Sequence, residues 1–280
     1  MTDEISVGVQ FDKPFSEYLK INAMNCSTLK KVSQSPAHAV HQLNTPHEPT
    51  PSMVIGDALH AAILEPERFD LEYALALDRP KRSKADKEAW QEWYEAHPNV
   101  TPLKADDFML VKGMEDSILS HKTANEIMVG SGVNEVTMAW IDPETGYPCK
   151  GRADRMTEAL GSNLIVDLKT TQDGSPHGFG TQIARFGYDQ QAAWYLGGAW
   201  ALAPIERRFL FVCVENKAPH GVSIQELHED DVANAAKLNQ ILLKRWINCL
   251  ETEEFVGYPQ HVVKQRVPAW RRQEIDRMES

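Results

Sequence analysis

Residues 135–170, EVTMAWIDPETGYPCKGRADRMTEALGSNLIVDLKT, contain the pattern that decides the fold of this chain. Apolar and polar residues alternate over 135–141, which predicts a β-strand that is buried on one face. The segment 142–146, DPETG, predicts a hairpin turn, so residues 147–156 return as a second strand. After another turn, the apolar run 164–170 predicts a third strand that lies inside a sheet. We therefore expect a three-stranded antiparallel meander.

The segments around this meander predict an α/β fold in which helices flank a central mixed β-sheet. Helical patterns cover 27–34, 53–65, 105–129, 182–203 and 230–250, and further strands are expected at 208–215 and 222–227. Loops are expected at 43–52 and 173–180, where prolines and glycines cluster, and 80–100 is expected to be a mobile insertion. The N-terminal part is therefore predicted to be helical and the C-terminal part to carry the sheet.

Length and composition favour one globular domain. The chain has 280 residues, of which 42% are hydrophobic, and a chain of this size can bury a core without disulfide bonds. We expect residues 22–280 to form a single domain, preceded by an extended N-terminal arm at 1–21. No run of about 18 apolar residues occurs, so no membrane span is expected, and residues 1–12 lack the apolar segment of a signal peptide.

Cysteine usage and net charge restrict the function further. The four cysteines are scattered without a CxxC pair, which argues against a zinc ribbon or an iron–sulfur cluster and favours free thiols in a reducing cytoplasm. The net charge of -11 argues against broad attraction to nucleic acid, but an acidic exterior can coexist with a basic DNA channel. Basic clusters occur at 81–84, 150–155, 207–208 and 264–272. Each is either a solvated face or a DNA contact.

Asp167 and Lys169 provide the first candidate chemistry. They are two residues apart on the third strand, so their side chains project from the same face. A carboxylate and an ammonium on an apolar strand are costly to bury unless they pair or bind a metal ion. Taken alone, the pattern is typical of a salt bridge at the end of a strand, and a metal-dependent catalytic site is the alternative.

The preceding strand favours the metal site. Asp154 ends the segment 151–154, GRAD, and pairing of the two strands as a meander would place Asp154 beside Asp167. Two neighbouring carboxylates repel each other, and a divalent cation removes that repulsion. Mg²⁺ suits such a site because it is held by few carboxylates and several waters. Lys169 would then lie beside the attacking water and near the charge on a phosphoryl group.

Further positions extend this candidate site. Glu135, at the start of the first strand, is interpreted either as another metal-binding carboxylate or as an exposed edge glutamate. Gly56 and His60 share a helix face, and a glycine inside a helix indicates close packing against another backbone. His60 is either a structural histidine or a metal ligand through its neutral imidazole. Gln191 and Tyr195 can contact phosphate oxygens or simply form the edge of an amphipathic helix.

These pieces occur together and in one order, which resembles the PD-(D/E)xK nuclease superfamily in its RecB-like branch. The motifs in chain order are 56–60 (GDALH), Glu135, 151–154 (GRAD), 167–169 (DLK) and 191–195 (QAAWY). The fuller segments 56–66 (GDALHAAILEP), 166–171 (VDLKTT), 188–195 (YDQQAAWY) and 267–270 (VPAW) are similar to those of RecE-like nuclease domains, of the exodeoxyribonuclease VIII type. The resemblance covers about residues 22–275, and it implies a PD-(D/E)xK nuclease core.

The resemblance also implies a role for each matching residue. The implied metal ligands are His60, Asp154, Asp167 and the carbonyl oxygen of Leu168. The implied catalytic set is Lys169, Asp167, Asp154, Glu135, Gln191 and Tyr195, in which Lys169 is the catalytic lysine. Gln191 and Tyr195 would support the site and contact the DNA backbone. The first aspartate stands in GRAD rather than after a proline, a form that is common in the RecB-like branch.

RecE-like enzymes digest one strand of linear duplex DNA from the 5′ end and leave a 3′ overhang for recombination by strand annealing. The resemblance therefore implies a Mg²⁺-dependent exodeoxyribonuclease of bacterial or phage origin, with Mn²⁺ able to substitute. Its implied partners are double-stranded DNA ends, a single-strand annealing protein of the RecT type, and further copies of itself in a homotetramer. A RecB-like nuclease of other polarity, an endonuclease and an inactive DNA-binding member of the fold are the alternatives.

Overall fold

A six-stranded mixed sheet forms the centre of the computed structural model, which describes residues 5–45 and 48–279. Its strands are β1 (Gly8–Gln10), β4 (Gly132–Ile141), β5 (Pro148–Ala159), β6 (Ser162–Thr171), β7 (Arg208–Glu215) and β8 (Val222–Glu226), in that order across the sheet. The β6–β7 pair is parallel and the other pairs are antiparallel. A separate parallel pair consists of β2 (Tyr73–Leu75) and β3 (Thr101–Leu103). The expected α/β class and the β4–β5–β6 meander are confirmed.

Helices cover both faces of this sheet. They are α1 (Phe15–Lys20), α2 (Cys26–Gln34), α3 (Pro36–Asn44), α4 (Pro51–Leu64), α5 (Pro66–Glu72), α6 (Lys84–Ala96), α7 (Ala105–Ser120), α8 (Lys122–Val129), α9 (Pro176–Phe186), α10 (Tyr188–Leu202), α11 (Glu229–Thr252) and α12 (Ala269–Glu279). Helices α4, α7 and α8 pack on the face that carries Leu164, Val166 and Leu168. Helices α2, α10 and α11 pack on the opposite face, around Ile165 and Phe211. The site lies on strands buried between these layers.

The helix starts follow local capping chemistry. Helix α4 begins at Pro51, and the side chain of Thr50 accepts the N–H of Met53 at 3.4 Å. Helix α2 begins at Cys26, one residue earlier than expected, because Asn25 caps it. The Asn25 side chain accepts the N–H of Thr28 at 2.8 Å. These caps orient α4 and α2, the two N-terminal helices that approach the site.

The N-terminal residues differ from the expected extended arm. The strand β1 pairs with β4, with Val9 opposite Met138, and extends the sheet at its edge. Helix α1 follows it and buries Tyr18. Elements of three and six residues are too short to produce a detectable periodicity, which explains why the sequence pattern did not show them. Residues 1–4 of the expected arm lie outside the described residues, as do Pro46 and His47 of the expected loop at 43–52.

Two other segments are more helical than expected. The expected loop at 173–180 contains the start of α9, where the Ser175 side chain accepts the N–H of Gly178 at 3.1 Å. Gly187, with φ 62°, then separates α9 from α10, so the single expected helix at 182–203 is two helices. The expected insertion at 80–100 contains α6, which begins with a capping box. Among the described helices, none combines the length and apolar character that a bilayer-crossing segment requires.

Candidate metal and catalytic site

The meander is interrupted at one level of the sheet, between Glu135 on β4 and Asp154 on β5. The two strands keep one register on both sides of this level, but these two opposed residues form no backbone pair. Glu135 has φ 53°, a strained conformation that costs a residue with a side chain about 1–3 kcal/mol. Arg155 donates to the Ile127 carbonyl of α8, whereas Ala153 packs in the cluster around α10. The alternation of side chains therefore changes at Asp154.

The neighbouring strand separates from β5 at the same level. The β5–β6 ladder ends at Arg155, and the next residue, Asp154, accepts the backbone N–H of Leu168 through Oδ2 at 2.8 Å. The first part of β5 is paired instead with Met24, whose carbonyl accepts the N–H of Lys150 at 2.7 Å. A carboxylate thus replaces a strand-to-strand hydrogen bond, and the opening between β5 and β6 receives the functional side chains.

Helix α4 brings His60 to this opening. His60 Nε2 lies 2.9 Å from the carbonyl oxygen of Leu168, and Nδ1 lies 3.6 Å from Asp154 Oδ2. One ligand atom each from His60, Glu135 and Asp154 lies within 4.8 Å of the others. Burial lowers the pKa of His60, with the Lys169 ammonium as the next cause. The neutral imidazole that results is the form that binds metal ions.

Asp167 and Lys169 form a second group beside this cluster. Asp167 is 1% exposed, its Oδ1 accepts Gln191 Nε2 at 2.6 Å, and its Oδ2 contacts Lys169 Nζ. Lys169 Nζ also lies 4.8 Å from the centroid of the Tyr188 ring. Asp167 is not one of the three residues whose ligand atoms converge. In this structure it holds Lys169, and Glu135 takes its place in the convergent group.

The carboxylates of the site are poorly neutralised. Burial and then the charge of Asp167 raise the pKa of Asp154 to about 8. Burial and then Asp154 raise the pKa of Glu135, although Arg152 Nε lies 2.5 Å from Glu135 Oε2. Burial opposes the charge on Lys169, but the carboxylates of Asp167 and Asp154 outweigh it and raise its pKa. Arg152 pairs with Glu135 and Lys169 pairs with Asp167, so the buried carboxylate of Asp154 is the one that these two cations leave unpaired.

This donor set fits a hard divalent cation. Carboxylate, carbonyl and imidazole groups converge, and a cation would relieve the repulsion that raises the pKa of Asp154. The carbonyl oxygen of Leu168 lies 2.9 Å from His60 Nε2, so it would supply a further oxygen ligand at the edge of this cluster. His60, Glu135, Asp154 and the Leu168 carbonyl are therefore the residues that could hold the ion.

Helix α10 supplies the remaining expected residues. Gln191 contacts Asp167 directly, as described above, whereas Tyr195 lies over the backbone of Gly151. A Cβ at Gly151 would come within 2.9 Å of the Tyr195 ring, so glycine is required there. Gly56 differs from the expectation, because a Cβ there would meet only Thr170 Oγ1 at 3.9 Å. The close backbone approach expected at Gly56 is therefore wrong.

Two basic residues at the site were not expected among its catalytic or metal-binding groups, although Arg152 belongs to the basic cluster at 150–155. Arg152 pairs with Glu135, and the signal was present, since Arg152 precedes Asp154 by two residues in GRAD. Lys30 extends from α2 toward the ring of Tyr188, at 5.5 Å from its centroid. No local pattern marks Lys30, because only the packing of α2 against α10 brings it to the site.

Comparison with known proteins agrees with the fold and the acidic site. A mixed sheet with convergent carboxylates beside a lysine is the arrangement of a PDDEXK-like domain. The family model described as a PDDEXK-like domain of unknown function (DUF3799) matches residues 25–262, and the chain belongs to this family. No curated protein matches the sequence.

The solved structures that the comparison found have sequences distant from this chain. A candidate exonuclease from Eubacterium rectale has a TM-score of 0.63 at 15% identity, with 92% of this chain and 97% of that chain covered. A phage-related exonuclease from Haemophilus somnus 129PT has a TM-score of 0.34 at 12% identity, covering 82% of this chain and 96% of that chain. The likeness to the Eubacterium rectale protein shows a common fold.

Proposed function

We propose that this chain is a Mg²⁺-dependent 5′-to-3′ exodeoxyribonuclease that digests linear double-stranded DNA and leaves 3′ single-stranded overhangs. The observation that carries the proposal is the convergence of His60, Glu135 and Asp154 within 4.8 Å, next to the buried Asp167–Lys169 pair. Membership of a PDDEXK-like family supports it. The Eubacterium rectale protein of similar fold is itself described as a candidate exonuclease.

The residues of the site have different proposed roles in phosphodiester hydrolysis. His60, Glu135, Asp154 and the Leu168 carbonyl hold Mg²⁺, for which Mn²⁺ can substitute, and Asp167 is a further ligand in our proposal. When bound, the cation lowers the pKa of water and neutralises charge on the phosphoryl group. Lys169 orients the attacking water and stabilises negative charge that develops on the phosphate.

Asp167 and Gln191 position Lys169. The carboxylate of Asp167 contacts the ammonium from one side and accepts the Gln191 amide at 2.6 Å through its other oxygen. This arrangement fixes the lysine without using all its N–H groups, because an ammonium has three donors. Tyr195, packed on Gly151, supports the strand that carries Asp154 and completes the proposed catalytic set.

We also propose a recombination partner and an assembly, both of which are implied by the resemblance to RecE-like nucleases. The 3′ overhang would be used by a single-strand annealing protein of the RecT type. A homotetrameric ring would keep the enzyme on its DNA, with basic residues along the channel and the acidic net charge of -11 elsewhere. The substrate in this proposal is a double-stranded DNA end.

A digestion assay tests the function. Linear duplex labelled at either the 5′ or the 3′ end, and a covalently closed circle, are incubated with Mg²⁺, Mn²⁺, Ca²⁺ or EDTA. We expect release of the 5′ label from linear DNA with Mg²⁺ or Mn²⁺, an intact circle, and no turnover with Ca²⁺ or EDTA. Early release of the 3′ label would reverse the polarity, and cleavage of the circle would indicate an endonuclease. Light scattering on the same sample measures the assembly, where a monomer would contradict the ring.

A substitution at His60 tests the metal site. His60→Ala removes one converging ligand, so we expect Mn²⁺ affinity to fall tenfold or more in a calorimetric titration, while the circular dichroism spectrum is kept. His228→Ala is the matched control, because His228 is exposed and lies at the start of α11. Equal Mn²⁺ affinity in the two variants would remove His60 from the ligand set.

A further inference from the structure

Two ammonium groups converge on one aromatic ring at the edge of the candidate site. Lys169 Nζ lies 4.8 Å and Lys30 Nζ lies 5.5 Å from the centroid of the Tyr188 ring. Lys169 is neutralised by Asp167, which it contacts directly. Lys30 comes from α2, which packs against the helix that carries Tyr188, and it reaches the site independently of the motifs on β5 and β6.

The side chain of Lys30 is held in place but its charge is not neutralised. Its Cδ and Cε atoms pass 3.5 Å from where a Cβ of Gly187 would be, at the junction of α9 and α10. Within residues 5–45 and 48–279, Lys30 forms no ion pair closer than 4.0 Å. Burial lowers the pKa of Lys30, and repulsion from Lys169 is a further cause of lowering. A partly buried ammonium without a carboxylate partner destabilises the fold.

A ligand that carries negative charge would compensate this cost. Asp167 and Asp189 are the carboxylates that act on the charge of Lys30, but neither comes within 4.0 Å of it, and Asp167 is already shared by Lys169 and Gln191. Cation–π contact with Tyr188 orients the ammonium but supplies no counter-charge. A phosphate oxygen can approach an ammonium group with three donors and supplies the missing charge.

We propose that Lys30 binds a phosphate of the DNA strand next to the scissile phosphate, on which Lys169 acts. This inference rests on the proposed function, since it names the contact that places the strand in the active centre. Lys30 is a positioning residue in this proposal. Lys169 and the metal ligands act on the phosphate that is cleaved. A point charge on a flexible stem suits the phosphate backbone, which is the same at every nucleotide, so the contact is independent of sequence.

The adjacent lysine provides a matched control. Lys31 is exposed to solvent on α2, so Lys31→Met removes the same charge from the same helix at a position outside the site. Lys30→Met keeps an unbranched side chain over Gly187 and removes the ammonium, and Lys30→Arg restores a cation. Binding is measured by fluorescence anisotropy of a short labelled duplex in Ca²⁺, over a series of salt concentrations, and cleavage is measured separately in Mg²⁺.

We expect Lys30→Met to weaken duplex binding about fivefold at 0.15 M salt and to reduce the slope of log affinity against log salt by about one unit. Lys30→Arg should recover most of both, and Lys31→Met should equal wild type. If wild type cleaves DNA but Lys30→Met has the same affinity and salt slope as Lys31→Met, the inference is wrong and the proposed function still stands. A wild type that neither binds nor cleaves duplex DNA would overturn the proposed function and the inference together.

Discussion

Lys169→Met is expected to lower the rate of duplex hydrolysis by roughly 10²–10⁴-fold, the usual contribution of a positioned proton-transfer or charge-stabilising group. The variant removes the ammonium that contacts Asp167 and faces the ring of Tyr188. The three converging metal ligands are left in place, so Mn²⁺ binding should persist while turnover is lost. Single-turnover digestion of linear duplex measures the rate, and calorimetry measures the metal.

The control for this variant is another lysine in an ion pair. Lys112 Nζ lies 2.7 Å from Glu115 on α7, away from the converging ligands. Lys112→Met therefore reports what the loss of an ion pair does to stability alone. Near-normal hydrolysis by a folded Lys169→Met protein would show that the lysine is structural and would remove the chemical basis of the proposed mechanism. Loss of Mn²⁺ binding together with activity would place Lys169 among the groups that shape the metal site.

The part of the fold that could be predicted from sequence is the part whose information is local. The meander follows from alternation on β4, a DPETG turn and an apolar β6, all of which are properties of neighbouring residues. The helix starts at Pro51 and Pro176 also follow from local capping, but both were missed, because the prolines up to 51 and the glycines in α9 suggested loops. The glycine content gave the wrong prediction at 173–180, because the Ser175 cap and Pro176 favour a helix start more than the following glycines oppose it.

The convergence of the site could be predicted only in part. Asp154 and Asp167 were expected side by side because paired strands would place them there. In the structure, the last β5–β6 pair is Arg155 with Val166, and Asp154 and Asp167 are the next residues beyond it. Glu135 had two interpretations because its positive φ and the break opposite Asp154 are tertiary features. Lys30 could not be found at all, because its place depends on how a distant helix packs against α10.

The second large effect concerns Asp154 and the pH dependence of stability in the metal-free protein. In the folded chain, burial and the neighbouring Asp167 raise the pKa of Asp154 to about 8, from an ordinary value of 3.8. Between about pH 4 and pH 8, the folded state therefore binds more protons at this position than the unfolded state. The free energy of unfolding must then fall as pH rises through this window, and the fall is complete above pH 8.

Asp154→Asn removes this titration while keeping an oxygen that can accept the Leu168 N–H. In EDTA at pH 8, we expect the variant to be more stable than wild type by on the order of 2 kcal/mol, which corresponds to a rise in Tm of about 5 °C. At pH 5 the difference should shrink, because the wild-type carboxyl is protonated. Differential scanning calorimetry at both values measures it, with Asp116→Asn, an exposed substitution on α7, as control.

Mn²⁺ is expected to reverse the order of stability, so that wild type becomes more stable than Asp154→Asn. Mn²⁺ binds the ionised carboxylate, so it should stabilise wild type, release protons on binding, and bind more tightly as pH rises toward 8. Asp154→Asn should gain little stability from Mn²⁺ and should lose duplex hydrolysis, because the site lacks one of its three converging ligands. A variant that is more stable without metal and inactive with it shows that the carboxylate is retained for function at the expense of the fold. If wild type and Asp154→Asn instead show the same Tm at pH 5 and pH 8, and the same response to Mn²⁺, then Asp154 is neither strained nor a ligand, and the metal centre must lie elsewhere.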